Sequence, residues 1–237
     1  MVNSFKTDNN GLPEFNTFND SNYNVATDAV DPRLDHTVAM DGKPFKYDPT
    51  YIYSKNWARS IAIYGSNSSL KELESPKCAC LIHNGPFNIF SMNTVMIRFA
   101  DVLLWKAEAL IEVGREQEAL PIINQIRQRA ANSTGMLNNA SIYKIGLYTA
   151  TQWTPDFARN ALRWERRLEL SLEGNRFFDL VRWGIAKETL DQYFQVEKTK
   201  TPYLTDANFT NGKHEYLPIP QRQIVLSKGL YKQNPGY

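Results

Sequence analysis

From Met96 onward, apolar positions recur every three or four residues, the spacing that places them on one face of an α-helix. The first stripe consists of Phe99, Leu103, Ala107, Leu110 and Ile111. Gly114 then suits the left-handed conformation that ends many helices. A second stripe follows and consists of Ala119, Ile122, Ile123, Ile126 and Ala130. Two amphipathic helices joined by so short a loop should fold back antiparallel and pack stripe against stripe.

Small and large residues in this hairpin occupy the spacings of a tetratricopeptide (TPR) repeat, over Ala100 to about Ser133. A generic pair of antiparallel helices is the alternative. One repeat cannot form a stable solenoid, because each repeat buries its apolar faces against its neighbours. We therefore expect an uncovered apolar face and only marginal stability for the isolated chain.

A third helix is predicted to begin at Thr154-Pro155-Asp156, which combines an N-cap hydroxyl, a proline at the first helical position and an acid near the positive end of the helix dipole. Its apolar stripe consists of Phe157, Ala161, Trp164, Leu168 and Leu172, and Gly174 should end it. Further helices are predicted over 176–183 and 185–196. The tail from Tyr216 should be extended, because Pro218 and Pro220 disfavour helix.

Residues 1–95 show no comparable periodicity. Turn signals recur in this segment, and between them lie short β-branched and aromatic patches at 51–53 and 61–64, which predict loops with a few short strands. So long an irregular segment should pack on something else. The predicted fold is therefore mostly α, with TPR-like hairpins forming an α-α superhelix. Within one domain over 1–237, we expect a loop-rich ligand face (1–95), a helical scaffold (96–184) and a helix with an extended tail (185–237).

Composition excludes several classes of partner. The chain has 237 residues, of which 42% are hydrophobic and 22% charged, and its net charge of +2 is dispersed along the sequence. Charge alone therefore gives no reason to expect nucleic acid as a partner, and no apolar run is long enough to span a membrane. We expect no metal and no cofactor. Cys78 and Cys80, separated by one residue, are expected to be small packed or surface residues, because a bridge between them would be strained.

The densest charged segment is the one with the best claim to catalysis. Glu165, Glu169 and Glu173 repeat every four residues and should share one ridge of the third helix. A glycoside hydrolase could use two such acids, or Asp179, as acid and nucleophile. The interleaved arginines would keep these carboxylates ionised, which favours a structural ladder of ion pairs instead. His36, His83 and His214 are scattered and have no nucleophile nearby in sequence.

Aromatic residues in the loops offer a different chemistry, because the flat faces of their rings can stack on the CH faces of sugars. The candidate ligand-binding residues are Tyr51, Tyr53, Trp57, Tyr64 and Trp153, and Tyr47 belongs to the same group. Asn56, Arg59 and Asn67 lie close by in sequence and could bind sugar hydroxyls. Burial of the rings against the helices is the alternative for each of them.

Several segments resemble one known family. Residues 98–109 (RFADVLLWKAEA) resemble one of its helices, and residues 165–184 (ERRLELSLEGNRFFDLVRWG) resemble its signature. The ending LPIP at 217–220 with QNPGY at 233–237, and DPRLD at 31–35, add two more elements. The chain is identified as a member of the SusD/RagB family of nutrient-binding outer-membrane lipoproteins of Bacteroidota.

The resemblance implies a non-catalytic protein that binds oligosaccharide at the outward face of the cell outer membrane and delivers it to a TonB-dependent transporter of the SusC type. A TPR adaptor that binds a peptide in its groove is a further alternative. Members of the family are usually about twice as long, so we expect this chain to correspond to the C-terminal half. The start, Met1–Ser4, lacks the pattern of a secretion signal, and neither Cys78 nor Cys80 can be the lipid-bearing cysteine.

Overall fold

The computed structural model describes residues 1–84, 87–138 and 140–237. The predicted class is confirmed, because helices dominate and the strands are short. The α-helices in the described residues are α1 (Arg33–Thr37), α2 (Ile61–Tyr64), α3 (Phe99–Glu112), α4 (Glu116–Ala131), α5 (Pro155–Glu169), α6 (Asn175–Arg182), α7 (Ala186–Glu197) and α8 (Gln221–Leu226). The chain divides into two compact units, 1–174 and 175–237. The assignment of residues 1–237 to one domain stays a prediction.

Short strands connect the loops of the first unit in two-stranded sheets. They are β1 (Ala29–Val30), β2 (Val38–Ala39), β3 (Pro44–Phe45), β4 (Asp48–Ile52), β5 (Ser68–Ser69), β6 (Leu81–Asn84), β7 (Phe87–Phe90) and β8 (Ile142–Tyr143). β1 pairs in parallel with β8, while β2–β5, β3–β4 and β6–β7 are antiparallel. The strand expected near 51–53 is present as β4. The patch at 61–64 is a single helical turn instead, which Gly65 ends with a φ of 77°.

The predicted hairpin is confirmed as α3 and α4, and Gly114 ends α3 with a φ of 75°. Its core differs on α3, where the buried face runs through Ala100, Leu104, Ala107 and Ile111. Phe99, placed in the predicted stripe, is 72% exposed. Neighbouring helix positions differ by about 100°, so the one-residue shift takes Phe99 off the buried face of α3. On α4 the buried positions include Ala119, Ile123, Ile126 and Ala130, as predicted.

Helix α5 completes this core and begins as predicted. The Thr154 hydroxyl accepts a hydrogen bond from the backbone N–H of Phe157 at 3.3 Å, and Pro155 occupies the first turn. Ala158, Ala161 and Leu162 pack against both helices of the hairpin. The helix ends at Glu169, earlier than predicted, and Leu172 lies beyond its end with a left-handed φ of 63°.

The loops of the first unit pack on an adjoining face of α5. Trp164 and Leu168 form a second core with residues of the N-terminal segment: Phe5, Val30, Leu34, Val38 and Met40. The indole N–H of Trp164 donates to the Ser4 carbonyl at 3.2 Å. The expectation that residues 1–95 lean on another element is therefore confirmed for this part of them, because α5 supplies much of the apolar surface that they bury.

A close approach of two loops depends on glycine. Gly146 donates its N–H to the Gly11 carbonyl at 2.8 Å, and Arg127 donates to the carbonyls of both glycines at 2.6 and 2.9 Å. A Cβ on Gly146 would lie 2.0 Å from the Asn10 carbonyl oxygen. Only a residue without a side chain therefore lets these two loops meet where Arg127 can bind them.

The C-terminal unit has a small core of its own, formed by Leu180, Ala186 and Phe209. The predicted helices are observed as α6 and α7. The predicted extended tail is wrong in part, because α8 begins directly after Pro220, and Pro220 occupies its N-cap position. Proline disrupts helix interiors, but before the first turn its missing N–H removes no helical hydrogen bond.

One cysteine prediction is also wrong, because Cys78 and Cys80 form a disulfide in the structure. The two residues lie in the turn before β6, where the backbone brings the Cα atoms to 5.1 Å. This separation falls within the usual range for a disulfide. Among the described residues, no helix combines the length and the apolar character needed to cross a membrane.

We expect the isolated chain to self-associate, since the outer side of α3 carries large exposed apolar residues. Phe99, Val102 and Trp105 are exposed there, and Met96 and Ile97 precede them. Such a patch is unusual on a monomer. Analytical ultracentrifugation should show oligomers that Val102→Glu together with Trp105→Glu reduce. A monodisperse monomer with a cooperative unfolding transition at high temperature would contradict this expectation.

Gly146→Ala should destabilise the protein by about 1–3 kcal/mol, because the new methyl group overpacks the contact with the backbone of Asn10. Gly135→Ala is the matched control, since a Cβ at Gly135 meets nothing within 4 Å. Urea unfolding of both variants measures the difference. Equal stabilities would show that the two loops separate without cost.

Candidate functional site

A buried network of ion pairs lies where the loops of the first unit meet α3, α4 and α5. Its members are Asp31, Arg33, Lys71, Arg98, Arg127, Arg129, Glu165, Glu169 and Glu173. Arg33 is its central cation, on the first turn of α1. Its guanidinium binds both carboxylate oxygens of Asp31, at 2.9 and 2.7 Å, and Glu165 Oε1 at 2.6 Å. The loop containing Asp31 and Arg33 is thus joined to α5 by charge-assisted hydrogen bonds.

Both carboxylates on α5 are fully engaged. The second oxygen of Glu165 accepts from Arg127 of α4 at 3.2 Å. Glu169 accepts from Arg33 at 3.1 Å, from Arg98 at 2.9 Å and from Arg129. The side chains of Glu165 and Glu169 are almost wholly buried. The helix that carries them is therefore tied to the hairpin and to the loops at the same two residues.

Glu173 lies after the end of α5 but belongs to the same network. Arg98, at the N-cap of α3, holds it with two hydrogen bonds, at 2.9 and 2.8 Å, and Lys71 also donates to it. The predicted ladder of ion pairs is therefore present, although the cations described above come from other elements. Arg166, one of the arginines that interrupt the acids in sequence, pairs with Asp101 of α3 at 2.7 Å.

The electrostatics of the network oppose general acid catalysis. Burial alone would raise the pKa of the Glu169 carboxyl, but Arg33, Arg129 and Arg98 outweigh burial and hold the pKa at about 2. Burial would likewise raise the pKa of Asp31, and the Arg33 guanidinium lowers it below its ordinary value. A general acid needs a pKa near the working pH. These carboxylates are instead permanently ionised partners of arginine.

Three of the aromatic candidates form one group with a fourth aromatic residue, Phe45. Phe45, Tyr51, Tyr53 and Trp57, here named the aromatic cluster, surround the β3–β4 hairpin. The Tyr51 and Trp57 ring centroids are 5.0 Å apart with the planes tilted by 37°. Phe45 and Tyr53 are buried, Tyr51 is half-buried and Trp57 is 45% exposed. The cluster thus has a buried base, Phe45 and Tyr53, and an accessible outer part, Tyr51 and Trp57. With only 3% of Tyr53 exposed, its ring cannot stack on a ligand, which corrects its inclusion among the candidates.

Tyr47 projects from the tight turn that joins β3 to β4. Lys46 and Tyr47 have φ values of 50° and 65°, the left-handed conformation that both central residues of a type I′ turn require. Residues with side chains adopt it at a cost of about 1–2 kcal/mol each. The turn borders a small cavity of about 20 Å³, which Tyr47 lines with Asp35, Lys43 and Asn138. The cavity has room for about one water molecule, so a larger ligand must lie on the surface.

The remaining candidates do not join the cluster. Tyr64 is exposed on α2, a separate element. Trp153 is buried in the α3–α4–α5 core, where its indole N–H donates to the Glu116 carbonyl at 2.7 Å. Its ring is unavailable to a ligand, which corrects its inclusion among the candidates. The polar residues Asn56, Arg59 and Asn67 are exposed on the same loops.

Sequence reasoning did not find Phe45, and it placed Tyr47 only among the aromatic residues of the loops. Phe45 provides the base under Tyr51 and Trp57, and Tyr47 borders the cavity. Alternation of aromatic residues along 45–53 is a signal that could have found Phe45, because every second side chain of a strand shares a face. Nothing in the sequence indicated the left-handed turn at Tyr47, since Lys-Tyr is not a typical turn pair.

A second concavity lies over the α3–α4 hairpin. It has a volume of about 420 Å³ and is lined by Arg98, Phe99, Ala100, Leu103, Gln125, Ile126 and Arg129. Both arginines are engaged with Glu169, so the cleft offers mainly an apolar floor and an amide.

For metal binding, Glu74 and the two cysteines present ligand atoms within 4.8 Å of one another in the described part of the chain. The disulfide, however, leaves no thiolate there.

Comparison with known proteins gives one consistent result. The profile of the SusD family matches residues 1–237. SusD-like protein P2 of Formosa agariphila is 30% identical over 148 residues, which cover 62% of this chain and 26% of that protein. Two crystal structures are similar in fold, a SusD homolog from Bacteroides thetaiotaomicron and a SusD superfamily protein from Bacteroides vulgatus. Their TM-scores are 0.58 and 0.61, with 26% and 25% identity.

These alignments cover most of this chain but less than half of each relative. They include 87% and 88% of the chain against 41% and 40% of the two crystallised proteins. The matched part of the curated relative is about a quarter of its length. What the whole proteins do therefore reaches this chain only as a proposal.

Arg33→Ala should destabilise the protein by about 3–5 kcal/mol, because it leaves the buried Glu165 and Asp31 without their principal cation. Arg159→Ala is the control, since Arg159 pairs with an exposed carboxylate of Glu112 and should contribute less than about 1 kcal/mol. Denaturant unfolding compares them.

The same network predicts how stability depends on pH. Because the pKa of Glu169 is about 2 when folded against 4.5 as a free group, its contribution is complete above 4.5 and declines as the pH falls toward 2. Denaturation curves at pH 7, 4 and 3 on the unmodified protein test this. Stability that stays unchanged down to pH 3 would contradict this prediction. Equal destabilisation by Arg33→Ala and Arg159→Ala would contradict the preceding one.

Proposed function

The chain belongs to the SusD family, and from this premise we propose that it binds an oligosaccharide without cleaving it. The exposed aromatic surface of the first unit is the proposed binding face. The observation that carries the proposal is the pair of Tyr51 and Trp57, whose rings contact each other over a buried aromatic base. Rings held in this way keep their outer faces available for stacking against a sugar at little further cost in side-chain entropy.

The polar neighbours complete the surface. Asn56, Arg59 and Asn67 are exposed on the same loops and can exchange hydrogen bonds with sugar hydroxyls. Tyr47, in the turn of the same hairpin, and Tyr64, on the separate helix α2, are also exposed. The adjoining cavity is far smaller than a sugar ring, so the proposed mode is binding along an open face. Such a face suits a polymer whose ends continue beyond the site.

The proposal also covers where the protein acts and what receives its ligand. From the family resemblance, we propose that it acts outside the cell at the outer membrane and passes its ligand to a TonB-dependent transporter of the SusC type. Binding without cleavage fits this order of events, because a transporter needs the oligosaccharide intact when it is handed over. Co-purification of the full-length protein with its transporter would support this part, independently of which glycan is bound.

The enzyme alternative is disfavoured by the state of its acids. Glu169 is ionised and held by three arginines, and Asp179 of α6 is bonded to Arg182 at 3.0 and 2.9 Å. The alternative of a peptide-binding TPR adaptor rests on the 420 Å³ cleft over the hairpin. Its apolar floor could hold a helix or an extended peptide. Gln125→Arg would block that cleft and leave the aromatic surface unchanged. The substitution should therefore abolish peptide binding in the cleft but leave polysaccharide binding at the aromatic surface intact.

Trp57→Ala should weaken polysaccharide binding by about tenfold or more, as expected for loss of a central aromatic contact. Trp105→Ala is a matched control, because Trp105 on α3 is 44% exposed against 45% for Trp57 but lies on a different element. Affinity gel electrophoresis against a panel of polysaccharides, followed by calorimetry on the best of them, measures both variants.

The same panel tests the absence of cleavage. An assay for new reducing ends should detect no more of them with the unmodified protein than without protein. Reducing ends that Glu169→Gln abolishes, in a variant whose circular dichroism shows that it remains folded, would establish a hydrolase and end the binding-only proposal. Equal losses of affinity in the two tryptophan variants would show that the aromatic cluster is not the binding face.

A further inference from the structure

A chain of three hydrogen bonds runs from the end of α4 to the hydroxyl of Tyr47. The Ser133 hydroxyl donates to the Ala130 carbonyl at 2.6 Å. His36 Nε2 lies 2.8 Å from the Ser133 oxygen, and His36 Nδ1 lies 2.9 Å from the Tyr47 hydroxyl. The His36 and Tyr47 rings also make an edge contact, with centroids 5.5 Å apart.

The direction of each hydrogen bond follows from the first. Because Ser133 uses its only hydrogen on Ala130, its oxygen must accept from His36, and Nε2 therefore carries the imidazole hydrogen. Nδ1 of the neutral ring is then a lone pair, so the Tyr47 hydroxyl must donate to it. This leaves the phenol oxygen as an acceptor toward the surface, with no hydrogen to offer a ligand.

The chain restrains a residue whose own backbone does not favour its position. Tyr47 sits in the left-handed turn between β3 and β4, beside Lys46 in the same conformation. His36 lies on α1, and Ser133 follows α4, 97 residues later in the sequence. Asn138 adds a hydrogen bond to the Tyr47 carbonyl at 3.2 Å. The ring is thereby tied to α1 and to the end of the hairpin.

We propose that His36 is a positioning residue, which holds Tyr47 at the binding face and orients its hydroxyl to accept a hydrogen bond from a sugar hydroxyl. This inference rests on the proposed function and deepens it, because it states the polarity of one contact. A ligand group opposite Tyr47 must be a donor, as a sugar hydroxyl can be and a ring or ether oxygen cannot.

Protonation of His36 would reverse that polarity. A hydrogen on Nδ1 would donate to the phenol oxygen, and the Tyr47 hydrogen would turn outward. Burial lowers the pKa of His36, and the positive charge of Arg129 lowers it further. The negative charges of Asp35 and Asp31 raise the pKa, but the net effect is a pKa below the ordinary value of 6.5. The neutral ring and its tautomer therefore persist at neutral pH and are lost only in acid. Since the folded pKa is lower than the unfolded one, this group also removes stability as the pH falls below about 6.5.

The tautomer can be measured without any ligand. The chain has only three histidines, so ¹⁵N-labelled imidazole nitrogens can be assigned with His36→Ala and His214→Ala. In the unmodified protein at pH 7.5 we expect a protonated Nε2 and an unprotonated Nδ1 for His36. Ser133→Ala should weaken this preference, because Nε2 loses the hydroxyl oxygen that accepts from it. A protonated Nδ1, or an ordinary pKa that Ser133→Ala leaves unchanged, would overturn the inference whether or not a glycan binds.

Binding supplies the second readout, on a polysaccharide that retains the unmodified protein in the electrophoresis panel. His36→Ala and Tyr47→Phe should each weaken binding about threefold to tenfold, the usual effect of one hydrogen bond. The double variant should be little weaker than Tyr47→Phe alone, because His36 acts through the phenol. His214→Ala, in the C-terminal unit, is the control.

The pattern of results separates this inference from the proposed function. Additive losses, or affinity in His36→Ala equal to that of the unmodified protein, would overturn the positioning role while the glycan site stands. Affinity of the unmodified protein should also change below pH 6.5, and Tyr47→Phe should remove most of this change. If no polysaccharide in the panel binds, the proposed function fails, and the nitrogen spectra still decide the state of His36.

Discussion

The contact between Arg33 and the two carboxylates of α5 fixes where the irregular segment meets the helices. One guanidinium, on a short helix in the irregular segment, binds Asp31, Glu165 and Glu169 at distances of 2.6–3.1 Å. Removing such charges from water costs several kcal/mol each, and the cost is recovered only where every group has a partner with good geometry. Here Arg98, Arg127 and Arg129 provide the remaining partners. The network specifies which loop meets which helix more than it adds stability.

That specificity explains how an irregular segment can present a defined surface. The core around Trp164 is apolar and could tolerate small shifts of the loops, whereas bidentate ion pairs cannot. Once Asp31 and Arg33 are fixed, α1 follows directly, and His36 on α1 reaches Tyr47 and Ser133. The β3–β4 hairpin with its aromatic cluster continues from there. The path from the buried network to the exposed rings is therefore short and continuous along the chain.

Charged and aromatic residues lie here in surroundings opposite to their usual ones. The acids of the network, of a type common in catalytic sites, are here buried and neutralised by basic residues. Aromatic residues, the usual material of cores, are partly left at the surface of the loops. The distinction is set by surroundings, since Tyr53 and Trp153 are buried while Trp57, of the same chemistry, is 45% exposed. A list of residue types could not have separated these roles.

The sequence alone determined the helical hairpin, the cap of α5 and the family, because 3.6-residue periodicity, capping residues and motif order are local properties of the chain. It also indicated that Glu165 and Glu169 pair with arginines. Only the tertiary structure decided which arginines these are, since Arg33 and Arg98 lie 132 and 71 residues away from their partners in sequence. The same holds for the burial of Trp153 and the left-handed turn at Tyr47. Pairing over such separations depends on how elements pack, and side-chain exposure is settled only when that packing is complete.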